Sequence, residues 1–161
     1  MLEIRRFTDA DKPRIWEIIK SVIATGDTYV FYPDSSAEKM LAFWCGADKM
    51  TYVALSDGEI LGTFFLKANQ PDLGSHIANA GYMVSPEAKG KRVGRTMAEF
   101  SLDEARNMGF RAMQFNFVVK SNEIAVKLWK DVGFDVIGEI PEAFQHPQNG
   151  LTNALIMYRT L

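Results

Sequence analysis

Four cations and two glycines fall within seven consecutive residues, Lys89-Gly90-Lys91-Arg92-Val93-Gly94-Arg95. That combination suits a phosphate or pyrophosphate. The apolar run Tyr82-Met83-Val84 before it reads as the end of a strand. Ser85-Pro86 stops the strand, because proline cannot extend a hydrogen-bonded ladder and serine favours turns. An amphipathic segment from Val93 to Met108 follows and reads as helix. The first N–H groups of a helix have no internal acceptor, and the dipole adds about half a positive charge there. Gly90 and Gly94 permit close backbone approach, and arginine adds directional attraction. Taken alone, the same cations could be no more than a solvated helix face.

Three asparagines stand at positions where a carboxamide could do chemistry. Asn122 opens a second helix, with Ala125, Leu128, Trp129 and Val132 along one side. Its oxygen can cap the helix while its amide is offered to a ligand. Asn79 and Asn116 lie within apolar, strand-like runs, where a polar side chain needs a partner. The segment Gly26 to Asp34 is rich in aromatics without clear periodicity. Tyr29, Phe31 and Tyr32 with Asp27 could wall a pocket for a cationic amine, or could equally be core or a dimer contact.

Whole-chain properties narrow the field. At 161 residues the chain can bury a real core as one domain spanning 1–161, and its 47% hydrophobic and 24% charged content is ordinary for a soluble protein. A formal charge of −2 and an isoelectric point near 5.7 argue against a bulk electrostatic grip on nucleic acid. Cys45 is the single cysteine, which excludes an internal disulfide and a cysteine-based zinc cluster. His76 and His146 lie far apart in sequence, so no metal site is expected. No run approaches the length of a membrane span and no apolar signal core follows Glu3, so a cytoplasmic location is expected.

The elements that must position these residues can be read in order. Alternation from Leu2 to Phe7 suggests a first strand; Thr8 and Asp9 can cap a helix carrying Ile15, Ile18, Ile19, Val22 and Ile23, which Gly26 ends. Ser35 with Glu38 reads as a capping box for a second helix with Met40, Leu41, Phe43 and Trp44 on its apolar face. Thr51–Leu55 and Ile60–Leu66 flank Asp57-Gly58, a strong hairpin signal. A turn cluster from Asn69 to Gly74 precedes a strand over His76 to Val84. The helix from Val93 stops at Gly109, and Phe110 to Val119 is again strand-like. Two strands, Phe134–Ile140 and Ala154–Leu161, close the chain, joined by a loop holding His146. The order predicts a mixed α/β fold, antiparallel in front with crossover helices behind. A doubly wound nucleotide fold would place its Gly-rich turn after the first strand, which this chain does not.

The stretch from Lys89 to Gly94 resembles motif A of the GNAT superfamily, the acyl-CoA-dependent N-acyltransferases, commonly written Gln/Arg-x-x-Gly-x-Gly/Ala. Lys89, Gly90, Lys91, Val93 and Gly94 fit with lysine in place of arginine or glutamine; Arg92 stands where the family usually has glycine. Asn122 to Phe134 is similar to motif B, Asn-x-x-Ala-x-x-Leu-Tyr-x-x-x-Gly-Phe, with Trp129 in place of the tyrosine. Residues 26–29, 65–71, 114–119 and 157–159 also resemble the small bacterial-type branch of that superfamily. The resemblance implies a mostly antiparallel sheet of six to seven strands flanked by about four helices, with strands four and five splayed around the cofactor. It implies acetyl-CoA as acetyl donor, its pyrophosphate held by Lys89, Gly90, Lys91, Arg92, Val93, Gly94, Arg95 and Thr96. Asn122 would bind the pantetheine arm, and a backbone N–H of Met83 or Val84 would polarise the thioester carbonyl.

The reaction so implied is direct attack of a small primary amine, or of an amino acid's amine, on the thioester within a ternary complex. Relatives often carry a glutamate where this chain has Asn79, and a tyrosine where it has Trp129, so the usual acid and base are both replaced. A water held by Asn79 or Asn116 could carry the proton. Alternatively Asp27, His76 or His146 is the base, or the acceptor amine has a low pKa of its own. Asp27, Tyr29 and Tyr32 would face the acceptor. A homodimer is compatible with the sequence; nucleic acid, membrane and metal partners are not expected. The alternative is a non-catalytic acyl-CoA-binding module of the same fold, and a weaker one is a dinucleotide-binding protein using the same loop.

Overall fold

A computed structural model describes all 161 residues. Its strands are β1 (Glu3–Arg6), β2 (Met50–Ser56), β3 (Glu59–Ala68), β4 (Ile77–Val84), β5 (Ala112–Val119), β6 (Asp135–His146) and β7 (Gly150–Thr160). Its helices are α1 (Lys12–Ile23), α2 (Ala37–Trp44), α3 (Val93–Asn107) and α4 (Glu123–Asp131). All seven strands join one sheet in the order β1-β2-β3-β4-β5-β7-β6. Every neighbouring pair is antiparallel except β4 with β5. The mixed, mostly antiparallel sheet with four helices is the one the motifs implied.

Local chemistry accounts for most of the boundaries. Asp57 and Gly58 both take positive φ, 51° and 80°, as a two-residue hairpin turn matching strand twist requires. On one face of the sheet, α1 and α2 bury Ile15, Ile18, Ile19, Met40 and Trp44 against Val53, Phe65 and Met83. On the other, α3 and α4 bury Met97, Leu102 and Trp129 against Phe64, Met113 and Met157. Each fully buried side chain of this size contributes about 1.5–3 kcal/mol relative to exposure. Polar groups within the core are satisfied in a chain. Trp44 Nε1 donates to Thr63 Oγ1 at 3.0 Å, which donates to Tyr52 O at 2.8 Å; Thr51 Oγ1 donates to Trp44 O at 2.7 Å.

Two sequence expectations shift. The cap of α2 is Ser36, whose hydroxyl accepts from Lys39 N–H at 3.1 Å; Ser35 instead donates to Tyr32 O at 2.7 Å. Only Ser35 has a glutamate three residues on, but its hydroxyl is committed to the turn at Tyr32, so Ser36 caps the helix without the reciprocal glutamate bond. The last two strands are also longer than expected, since β6 runs on past Pro141 to His146 and meets β7 through a short turn. The edge position of β6 tolerates the missing proline N–H. Glu142 takes φ of 51° in the irregular stretch that follows, and its N–H donates to Asn153 Oδ1 at 2.9 Å.

The feature that organises the site is the β4–β5 pair. Only Ile77↔Ala112 and Ala78↔Met113 are in register, after which the two parallel strands diverge. Asn79 spans the apex of the opening, donating from Nδ2 to Gln114 O at 2.9 Å. A bulge in β5 between Phe115 and Val118 breaks its register with β7 beside the same opening.

Candidate active site

The divergence leaves the β5-facing edge of β4 without a partner strand. Both backbone groups of Tyr82 engage the Tyr29 hydroxyl, whereas Ser85 N–H donates to Leu61 O on the β3 side at 2.8 Å. Backbone groups alternate sides along a strand, so Ala80, Tyr82 and Val84 face the gap while Met83 faces β3. Of the two N–H groups expected to polarise a carbonyl, that of Val84 points into the gap. Met83 is excluded by this parity, and its side chain packs in the core beneath α1.

The last residue of β4, Val84, lies against the first turn of α3 at Gly94. Val93, Gly94 and Arg95 are its first three residues, and their N–H groups have no acceptor in the protein. Lys89, Lys91 and Arg92 are exposed there and form no ion pair, while Arg95 pairs with Glu99 at 2.9 Å along its own helix. Gly90 takes φ of 82° with open space where a side chain would be. Arg92 adopts the left-handed conformation too, φ 59° and ψ 20°, so the arginine bears the backbone angles that glycine would carry without strain. Its carbonyl accepts from Thr96 N–H and from Thr96 Oγ1, both at 3.0 Å, which commits that hydroxyl to the helix start. A Cβ at Gly94 would lie 3.6 Å from Val84 Cγ2 and 3.9 Å from Leu128 Cδ2, so this glycine is where α3 meets β4 and α4.

Between β4 and β5 lies a cleft of about 310 Å³ that reaches both faces of the sheet. On the α4 side it is bordered by Asn122, Ala125 and Trp129. Asn122 caps α4, its Oδ1 accepting from Ala125 N–H at 3.4 Å, and its Nδ2 makes no bond within the protein. Trp129 packs its ring against Tyr82 and Phe115, centroids 4.8 and 4.6 Å apart.

The expected acid–base residues fare unevenly. Asn79 and Asn116 both line the cleft. Asn116 is exposed at the rim, donating to Asn69 Oδ1 at 2.7 Å and accepting from Gln114 Nε2 at 3.0 Å. Each Nδ2 therefore has one hydrogen spent in the protein and one left over. Asp27, His76 and His146 do not line the cleft. Asp27 accepts from Thr25 Oγ1 at 2.6 Å; His76 is exposed, one residue before β4 at the closed end; His146 Nδ1 caps its own turn, accepting from Gln148 and Asn149 N–H at 3.1 Å. Tyr32 is 76% exposed and outside the cleft, so of the three expected acceptor contacts only Tyr29 borders it. A segment without periodicity gives no signal for which way its side chains turn.

Sequence reasoning missed Phe43 and Phe65, which form the back wall with Phe31. Both belong to elements read correctly, but an apolar residue on a helix or a buried strand reads as core. No aspartate, glutamate, lysine, arginine or histidine lines the cleft. Its ionisable groups are the phenols of Tyr29 and Tyr82. Burial pushes both well above the ordinary tyrosine value, opposed in part by hydrogen bonding to Tyr82 backbone and to Ser101 respectively, so both stay neutral.

Known proteins place this geometry. A GCN5-related N-acetyltransferase from Kribbella flavida is 40% identical, with 99% of this chain and 98% of that one aligned at a TM-score of 0.94. A phosphinothricin acetyltransferase from Sinorhizobium meliloti, solved with AcCoA, shares the fold at 21% identity and a TM-score of 0.87, covering 99% of this chain and 88% of its own. The N-acetyltransferase aca1 of Schizosaccharomyces pombe is 38% identical over 84 residues, 52% of this chain. The matched segment spans 40% of aca1, and a weaker match at 27% identity spans 13% of the Saccharomyces cerevisiae protein SPT10, so this chain corresponds to less than half of either relative. Residues 16–134 match the sequence profile of the Acetyltransferase (GNAT) family. With most of its length under that profile and its sheet split at β4 and β5, the chain belongs to the GNAT acetyltransferase family.

Proposed function

We propose that the chain, as one catalytic domain over residues 1–161, transfers the acetyl group of acetyl-CoA to the primary amine of a small molecule or amino acid. The observation that carries this reading is a single one: the open edge of β4 ends at Val84, packed against the unpaired amides and free cations at the start of α3. A diphosphate suits that helix start, and an amide-bearing arm suits the strand edge beside Asn122.

In this reading acetyl-CoA is a substrate. Lys89, Lys91, Arg92 and the amides of Val93, Gly94 and Arg95 hold its pyrophosphate, and Asn122 Nδ2 donates to the arm. The acceptor nitrogen attacks the thioester carbon, and Val84 N–H stabilises the oxygen as it gains charge. The C–S bond then breaks, the amide forms, and the proton lost from nitrogen ends on the departing thiolate. Water at the spare amide hydrogens of Asn79 and Asn116 carries that proton, since no charged side chain borders the cleft.

The same lack of a charged acid or base favours a second reading, a non-catalytic acyl-CoA-binding module. Acetyl-CoA titration followed by free-thiol release across an amine panel separates the two. Turnover with an amine supports the transferase; saturable binding with no thiol release across the panel supports the module. No binding of acetyl-CoA sinks both.

A further inference from the structure

The cleft has two ends, and the one on the α1–α2 face is aromatic. Thr28, Tyr29, Val30 and Phe31, from the segment after α1, face Phe43 of α2 and Phe65 of β3 across it. The rings form a continuous strip: Tyr29 stacks on Phe31 with centroids 6.4 Å apart, Phe31 meets Phe43 edge-on at 5.1 Å, and Phe43 meets Phe65 edge-on at 5.9 Å. One cation already uses this strip from the protein side. Lys49 Nζ lies 4.1 Å from the Phe43 centroid and 5.5 Å from that of Phe65. Its charge is matched by Asp48, at 3.1 and 3.2 Å. No carboxylate borders the cleft to receive a second cation.

These features bear on which acceptors fit. A charged group leaving water needs a partner, and an unpaired one is costly to bury. An apolar group meets the rings directly and gains from leaving water. The cleft volume is at the low end for ligand sites and must also admit the thioester, which leaves room for a small acceptor.

We propose that the aromatic end of this cleft selects monoamines with an uncharged apolar body, of the arylalkyl or branched-alkyl kind, over polyamines and other acceptors bearing a second cation. The inference rests on the transferase reading for its role in turnover, but selection at the cleft can be measured without turnover.

The test compares 2-phenylethylamine with spermidine as acceptors, by kcat/KM for acetyl transfer and by calorimetric binding to the CoA-saturated protein. We expect at least a tenfold preference for 2-phenylethylamine in both. Val30 borders the cleft yet is 59% exposed, so Val30→Asp should fold and supply the missing counter-charge. In that variant the preference should fall at least tenfold, and Phe31→Asp should do the same. Because each result is a ratio within one protein, a partly unfolded variant does not mimic it. Acetylation with spermidine equal or preferred overturns the inference and leaves the transferase reading standing. Selective binding of 2-phenylethylamine without acetyl transfer sustains the inference and overturns the transferase reading. Binding of neither amine, or an unchanged ratio in both variants, overturns the inference.

Discussion

The Tyr29 hydroxyl sits on both backbone groups of Tyr82, accepting from its N–H at 2.9 Å and donating to its carbonyl at 2.6 Å. It ties the segment after α1 to the edge of β4 that has no partner strand, so the aromatic end of the cleft is anchored on the strand bordering the gap. Burial keeps the phenol neutral through the mildly alkaline range, so the tie persists there.

Removing that hydroxyl tests the anchoring. Tyr29→Phe should cost about 1 kcal/mol of stability, the net worth of an ordinary hydrogen bond. It should also raise the acceptor KM about fivefold while moving the acetyl-CoA KM little. A change confined to the acetyl-CoA KM would place Tyr29 on the cofactor instead.

Gly94 tests the phosphate site. The space at its Cβ is ordinary van der Waals distance from Val84 and Leu128, so Gly94→Ala should fold and still respond to acetyl-CoA. Gly94→Glu, whose longer side chain must displace Val84 or Leu128, should lower the unliganded melting temperature and also lose ligand stabilisation, which for a competent site is about 2.7 kcal/mol at a hundredfold excess over Kd. Undiminished stabilisation of the glutamate variant in thermal melts would count against the assignment.

Arg92 carries strain that glycine would not. Its φ of 59° motivates the expectation that Arg92→Gly raises unliganded stability by up to about 1 kcal/mol, relief of the left-handed backbone being partly offset by chain entropy. The same change removes a cation and should weaken acetyl-CoA binding severalfold. A lower melting temperature without ligand would contradict the strain argument.

Asp11 sets an acid limit on stability. The Arg5 guanidinium, bound at 2.8 and 3.0 Å, and the Thr8 N–H at 2.7 Å hold its carboxyl below the ordinary value of 3.8. A depressed carboxyl stabilises the fold above the unfolded-state value and loses that contribution as pH falls through the folded one. Asp11→Asn should therefore cost about 1–3 kcal/mol at pH 7, with the gap to wild type closing below the ordinary value. A gap independent of pH in denaturant titrations would refute the assignment.

Much of this architecture was legible from residues with one local solution. Asp57-Gly58 admits few conformations other than a tight hairpin, and Asn122 both caps α4 and borders the cleft. The cations at 89–92 could be assigned to a helix start because strand, turn and amphipathic segment followed one another without a gap. What escaped depended on contacts distant in sequence. The strand continues past Ile140 because Pro141 is tolerated where β6 lies at the sheet edge, and edges are not written in a strand's own residues. Asp27 and Tyr32 suit an acceptor by composition, but neither borders the cleft: Asp27 accepts from Thr25 and Tyr32 is exposed. Met83 and Val84 are equivalent in type, and only their pairing with β3 separates them.

In the transferase reading, a wall with no charged side chain passes control of protonation from catalyst to reactant. Turnover should then climb with alkalinity along the acceptor's own ammonium titration. Exchanging an alkylamine near the lysine value of about 10.4 for a weaker base should slide the inflection downward by the same interval. An inflection that stays fixed across acceptors would instead betray a titrating group belonging to the protein.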